Sequence, residues 1–321
     1  MIDVRIRLNA LLACALALGT LAPSAQAQQG AWTQKAPMPA VRGEVAAAVV
    51  GDKLYAIGGG VSGSAVPRNE EYDPAADRWR ARAPLPEARD HLGVAVVGGK
   101  VYAFGGFVGS VHRGAGTGAF EYDPASDTWR TLAPMKGPRA SVGAAVLGGK
   151  IHVIGGRGLE NNVTLATHEV YDPASGSWSE AAPLPKARDH MAVVAVNGKI
   201  HAIGGRLGPP TERTGQHDVY DPASNSWASA PPLPTPRSGV SGLLYKGMIL
   251  VLGGELPPNH TFVENEAYDP AAARWVTLAP MPAGRHGLGS GVIGPNAYVV
   301  GGSLTPGGPG ITDQLIMFTL P

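Results

Sequence analysis

The feature that most constrains this chain is an internal repeat. Its six tryptophans, Trp32, Trp79, Trp129, Trp178, Trp227 and Trp275, stand 47 to 50 residues apart. A glycine pair keeps the same period, at Gly58-Gly59, Gly105-Gly106, Gly155-Gly156, Gly204-Gly205, Gly253-Gly254 and Gly301-Gly302. Tyr-Asp-Pro recurs from Tyr72, Tyr122, Tyr171, Tyr220 and Tyr268. An arginine behind a proline-rich stretch recurs at Arg42, Arg89, Arg139, Arg188, Arg237 and Arg285. One such unit cannot bury its apolar face alone, so units repeated in phase must stack. Beyond the N-terminal segment no window carries a 3.6-residue apolar period. Short apolar runs bounded by Gly, Pro and Asn are strand chemistry.

Each unit reads as four short strands. The first is rich in small apolar residues, as in Gly93 to Val97 or Met191 to Val196. A tight hairpin signal follows, as at Gly98-Gly99-Lys100 and Asn197-Gly198-Lys199. The second strand runs into the glycine pair. The third ends at Tyr-Asp-Pro, where proline cannot donate to a ladder. The fourth carries the tryptophan. The two ends of the chain are incomplete in complementary ways. Residues 31–36 hold Trp32 with no unit before it, while the last unit has a third strand near Ile316 to Leu320 but lacks Tyr-Asp-Pro and tryptophan. The N-terminal strand is therefore expected to complete the last unit, which removes the unpaired edges of an open array.

The glycine pair, the Tyr-Asp-Pro element and the spaced tryptophan, all in phase over residues 31–320, resemble the kelch repeat. The resemblance implies an all-β, six-bladed β-propeller, one four-stranded blade per repeat around a central channel, with the last blade closed by the N-terminal strand. The 45 glycines and 29 prolines fit a fold of many tight turns.

Residues 1–27 read as a removable export segment. Arg5 and Arg7 form a basic start, Leu8 to Ala22 an apolar run too short to span a membrane, and Ala25-Gln26-Ala27 a cleavage site. The propeller is then expected over 28–321, in a secreted or periplasmic protein. Cleavage removes Cys14, the only cysteine, and with it any thiol chemistry. Cys14 lies inside the apolar run rather than at its end, which argues against lipidation. The formal charge of +1 gives no reason to expect a nucleic-acid partner.

In a propeller blade the first strand starts, and the second ends, on one face, and the longer loops lie there. That face is the expected place for a site. Two residues after the recurring arginines stand Glu44, His91, Ser141, His190, Gly239 and Gly287; directly after the glycine pairs stand Gly60, Phe107, Arg157, Arg206, Glu255 and Ser303. Candidate ligand-binding residues are Arg157, Arg206, Glu255, His190, His91, Glu44, Ser141 and Phe107, with Glu255 and His190 as candidate proton-transfer groups. The recurring arginines themselves read as structural, because chemistry done once needs no sixfold copy. Arg-Asp-His occurs at Arg89-Asp90-His91 and at Arg188-Asp189-His190. Blades two and four are not neighbours, so this is read as repeat copying, and neither a metal nor a cofactor is expected.

The function expected first is a binding module holding a protein segment or a carbohydrate at the channel mouth. The alternative rests on a second resemblance, to the periplasmic N-acetylneuraminate epimerase family, which is also exported and six-bladed. That resemblance implies a sugar-acid mutarotase, with Arg157 and Arg206 clamping a carboxylate. The copper chemistry of galactose oxidase-like propellers needs a cysteine that the cleaved chain lacks. The acidic and histidine spacing of the iron-holding plant specifier proteins is not found. The export reading has a direct check: mass spectrometry of exported protein is expected to show an N-terminus at Gln28.

Overall fold

The computed structural model describes Met1, residues 29–159 and residues 163–321. The segment expected to direct export, and Cys14 within it, fall on residues outside those described. The repeat folds as six antiparallel four-stranded sheets. Blade one is Ala46–Val50, Lys53–Ile57, Asn69–Asp73 and Arg78–Ala81. The next four blades follow the same order. Blade six is Gly289–Ile293, Asn296–Val300 and Leu315–Thr319, completed by Ala31–Lys35 from the N-terminus. The closing ladder pairs Trp32 with Phe318 and Lys35 with Leu315. The first strands of neighbouring blades touch all the way round, so the ring is a closed six-bladed β-propeller. Among the described residues no helix is long and apolar enough to cross a membrane.

Small first-strand residues let six strands approach one axis. Gly143 shows how tight the fit is, since an added Cβ would come 2.0 Å from Val193 of the next blade. Between blades the core is aliphatic and aromatic, with Tyr72, Tyr122 and Tyr298 fully or almost fully buried. Each tryptophan indole donates to a carbonyl of the link behind the preceding blade: Trp79 to Ala36, Trp129 to Ala83, Trp178 to Ala133, Trp227 to Ala182, Trp275 to Pro231. Trp32 donates to Ala279 in the same way, so the seam is built like every other joint.

The recurring arginines are buried, at most 4 % exposed. Arg42, Arg139 and Arg237 each bond a third-strand glutamate, Glu70, Glu169 and Glu266, and Arg188 donates to Asp218 at 2.7 Å. They also donate to carbonyls at the end of the second strand, such as Gly58, Gly155 and Gly253. Blade six has Ile316 at that position, and Arg285 donates instead to Gln314 Oε1 at 2.7 Å; blade two has Phe120. There Arg89 lies over the ring, 5.3 Å from its centroid, and takes Glu87 instead. Acids and carbonyl or amide oxygens offset the cost of burying these cations.

His152 and His201 fill a core slot held elsewhere by tyrosine. Each Nδ1–H donates to a second histidine, His152 to His168 and His201 to His217, at 2.8 Å. His168 and His217 in turn donate Nδ1–H to Ala182 and Pro231 carbonyls at 3.0 Å. Burial, aided by the neighbouring imidazole or lysine for His152 and His201, pushes all four down to about 4. The folded chain therefore prefers them neutral, while the unfolded chain takes up protons near pH 6.5. Stability is complete above that pH and falls as the pH drops toward 4, by up to about 1.4 kcal/mol per pH unit for each titrating histidine. Urea unfolding from pH 7 to pH 4.5 is expected to show this slope. His168→Asn with His217→Asn should flatten it, because Asn69 and Asn265 already make the equivalent carbonyl bond in blades one and five.

Candidate functional site

The channel mouth is organised by a ring of backbone. Glu44, His91, Ser141, His190, Gly239 and Gly287 all have positive φ, between 51° and 70°. Their amides pass hydrogen bonds from blade to blade: His91 to Glu44, Ser141 to His91, His190 to Ser141, Gly239 to His190, Gly287 to Gly239. The circuit closes from Val45 to the Gly287 carbonyl, so it slips by one residue at the seam. The loops after the glycine pairs are better ordered than loops alone. Their first residues bridge to the strand-one approach, Phe107 to Asp90, Arg157 to Ala140, Arg206 to Asp189, Glu255 to Ser238 and Ser303 to His286.

These two layers of positions converge on one buried cluster. Arg206 donates through Nε to Asp189 Oδ1 at 2.8 Å and through Nη2 to His190 Nε2 at 2.8 Å, and its Nη1 lies 3.5 Å from Glu255 Oε1. His190 Nδ1 bonds Asp189, and His91 Nδ1 bonds Asp90. Glu44 sits between two imidazoles, with Oε2 3.0 Å from His91 Nε2 and Oε1 3.3 Å from His286 Nε2. His286 Nε2 is also 3.4 Å from Glu255 Oε2. Arg157 donates to the Gly208 carbonyl at 3.2 Å and feels the charge of Asp189. Ser141 Oγ lies 3.3 Å from His190 Nε2, and Phe107 packs edge-on against His91 with centroids 5.2 Å apart.

The electrostatics separate the histidines. Burial opposes charge on His91, but Glu44 and the Asp90 hydrogen bond outweigh it and hold the imidazole above its ordinary range. His286 is likewise disfavoured by burial and raised by Glu44 and Glu255. Glu44 itself, though buried, is held well below the usual carboxylate range by those two imidazoles. Burial together with Arg206 and His91 drives His190 far down. His112 is pushed down to about 3 by burial and by His91. Burial raises both Asp90 and Asp189, against the pull of their cationic neighbours.

Two cavities meet at this cluster. A small one of about 100 Å³ lies on the axis, between the ring residues and an apolar layer of Val45, Leu92, Val142, Met191, Val240 and Leu288. A larger one of about 600 Å³ opens on the loop face. Val41, Val61, Val111 and Ile311 give it apolar walls, and Glu44, His112 and Ser303 its polar groups.

The sequence expectations separate accordingly. Arg206, Glu255, His190, His91 and Glu44 do come together, with Arg157 at their edge. Ser141 and Phe107 support the histidines rather than line the larger cavity. Contrary to the expectation from blade number, the Asp-His pairs of blades two and four do meet. The channel is narrow enough to bring the His91 and His190 rings to 5.0 Å. Two members were missed by sequence reasoning. His286 stands one residue before its ring position, Gly287, and so falls out of the sampled phase. His112 lies in the variable part of the blade-two loop, where the repeats share no pattern; its ring is 4.6 Å from His91.

Gly287 has a specific task. Its φ is +59°, and an added Cβ would meet the Glu44 carboxyl at 2.4 to 2.6 Å. Gly63, at φ +81°, has no atom near its would-be Cβ. Gly63→Ala is expected to cost only the conformational penalty, about 1–2 kcal/mol. Gly287→Ala should cost more in denaturant unfolding, and should displace Glu44 from His91 and His286, seen as altered histidine resonances by NMR.

A kelch-motif family model matches residues 42–86, 88–136, 138–185 and 187–234, more than half of the chain. No curated protein matches the sequence significantly. Among solved structures, one titled "Structure of YjhT" superposes with a TM-score of 0.75 at 20 % identity, covering 87 % of this chain and 95 % of that one. At that identity the likeness speaks to the fold. Blades five and six continue the matched pattern with Gly253-Gly254, Gly301-Gly302 and Trp275, and the chain belongs to the kelch-motif family of β-propellers.

Proposed function

We propose that this kelch propeller is an exported binding protein for a small neutral carbohydrate, held in the loop-face cavity over the channel mouth. The cavity carries the reading. Its volume of about 600 Å³ lies in the range of small-molecule sites. Its apolar walls suit the C–H face of a sugar ring, and Glu44, His112 and Ser303 suit the hydroxyls. A protein segment is less favoured, because the space is concave and bounded rather than a groove. Export rests on the basic, apolar and Ala-Gln-Ala features of residues 1–27.

A sugar acid fits less well. Arg157 and Arg206 do not line the larger cavity, and the Arg206 guanidinium is already engaged with Asp189, His190 and Glu255. A carboxylate would have to displace the chain's own acids. One observation favours a catalytic second reading. Glu44 and His112 face the same cavity, so a bound sugar meets two groups able to accept a proton, one half of what interconversion of anomers needs.

Calorimetry against a panel of neutral aldoses and N-acetylneuraminate separates these readings. A neutral sugar is expected to bind, at least tenfold more weakly to Glu44→Gln and not at all when Ile311→Trp fills the cavity. Arg157→Ala should leave that binding intact. Selective binding of the acidic sugar, lost in Arg157→Ala, would overturn the neutral-sugar reading. NMR exchange between anomers, present in wild type and absent in Glu44→Gln, would establish catalysis.

A further inference from the structure

Buried polar atoms without a hydrogen-bond partner occur in the recurring arginine joints and also at the channel mouth. His91 Nε2, His286 Nδ1, Asp90 Oδ2, Asp189 Oδ2 and Ser238 Oγ all lack a hydrogen-bond partner. The chemistry of the surrounding donors identifies the ligand class. His91, His112 and His190 each offer a ring nitrogen, and these nitrogens all lie within 4.8 Å of one another. His91 and His190 have Nδ1 held by Asp90 and Asp189, which turns Nε2 of each away from its aspartate. A carboxylate behind an imidazole is the arrangement that fixes a metal-ligating histidine and raises its basicity. His91 is only 7 % exposed, and its Nε2 faces Glu44 Oε2 at 3.0 Å, so a metal there would take both as neighbours.

We propose that the channel mouth is a binding site for a divalent first-row transition metal, zinc foremost, with His91, His112 and His190 as ligands and Glu44 as the nearest carboxylate. Three imidazoles and one carboxylate are a donor set suited to zinc, which binds nitrogen at about 2.0–2.1 Å. The three nitrogens must draw together by small ring rotations to reach that distance. His91 and His190 line the axial cavity and His112 the loop-face cavity, and Glu44 lines both, so the three rings meet where the two cavities adjoin. Arg206 is the competitor, because its Nη2 donates to His190 Nε2 at 2.8 Å. Metal binding breaks that bond while Arg206 keeps Asp189.

The test uses the full cleaved chain, freed of metal by chelation, with cobalt(II) and zinc as probes and no sugar present, so it does not depend on the carbohydrate reading. Wild type is expected to take up one cobalt per chain with an intense visible ligand-field band, and zinc should displace it. His112→Ala, on a partly exposed loop, is expected to fold normally, weaken cobalt binding at least tenfold and change the band. Arg206→Gln removes the competing cation and should tighten binding. Absence of stoichiometric cobalt uptake by wild type overturns the site. So does a His112→Ala protein that binds cobalt with unchanged affinity and spectrum.

Discussion

A circuit of six peptide hydrogen bonds around the axis holds the structure's working end together. Each link joins one blade to the next, from His91 to Glu44 through to Val45 and Gly287. It exists only if every ring residue adopts positive φ, which costs a non-glycine residue about 1–2 kcal/mol. Glu44, His91, Ser141 and His190 accept that cost, and the closure of the ring sustains it. Closure in turn depends on the ladder between Ala31–Lys35 and Leu315–Thr319 and on the Trp32 bond to Ala279. A strand at one terminus thus underwrites side-chain positions at the opposite end of the sequence.

The same circuit explains why the cluster is dense. Positive φ at one residue per blade brings its side chain to the mouth, and the residue before it pairs with the first residue after the glycine pair. Two concentric sets of positions therefore meet at the axis. Beneath them Val45, Leu92, Val142, Met191, Val240 and Leu288 line the axis with apolar groups. Charge in such a setting is expensive unless paired, which is why Arg206 is surrounded by acceptors and Glu44 lies between His91 and His286. Because these pairings are internal, the guanidiniums that look free in sequence are already committed.

Much of this was legible beforehand. Trp32 without a blade, and a last unit without a tryptophan, specified the seam that Trp32 and Phe318 now form. The recurring arginines behaved as their sixfold repetition implied, each bonded within its own blade. What escaped was distance across the axis. Blade number suggested that His91 and His190 are separated, but six blades leave a channel across which two imidazoles touch. His286 escaped because a glycine occupies the phase in which it was sought. His112 escaped because repeat phase carries no information about the middle of loops that differ from blade to blade.

Symmetry of the scaffold and asymmetry of the site are reconciled by the glycines. Ring positions in blades one, two and four carry Glu44, His91 and His190, while blades five and six carry Gly239 and Gly287. A Cβ at Gly287 would occupy the place of the Glu44 carboxyl, and one at Gly239 would press His286 at 3.1 Å. Removing two side chains from one side of the ring is what lets Glu44 lean across the seam and His286 reach it. The larger cavity then opens over blades six, one and two, beside the relocated carboxylate, while the guanidiniums stay on the side of blades three and four. Six copies of one unit have become a site with an acid at its centre, imidazoles around it and open space on one side. Loss of side chains did as much of that work as gain of charged ones.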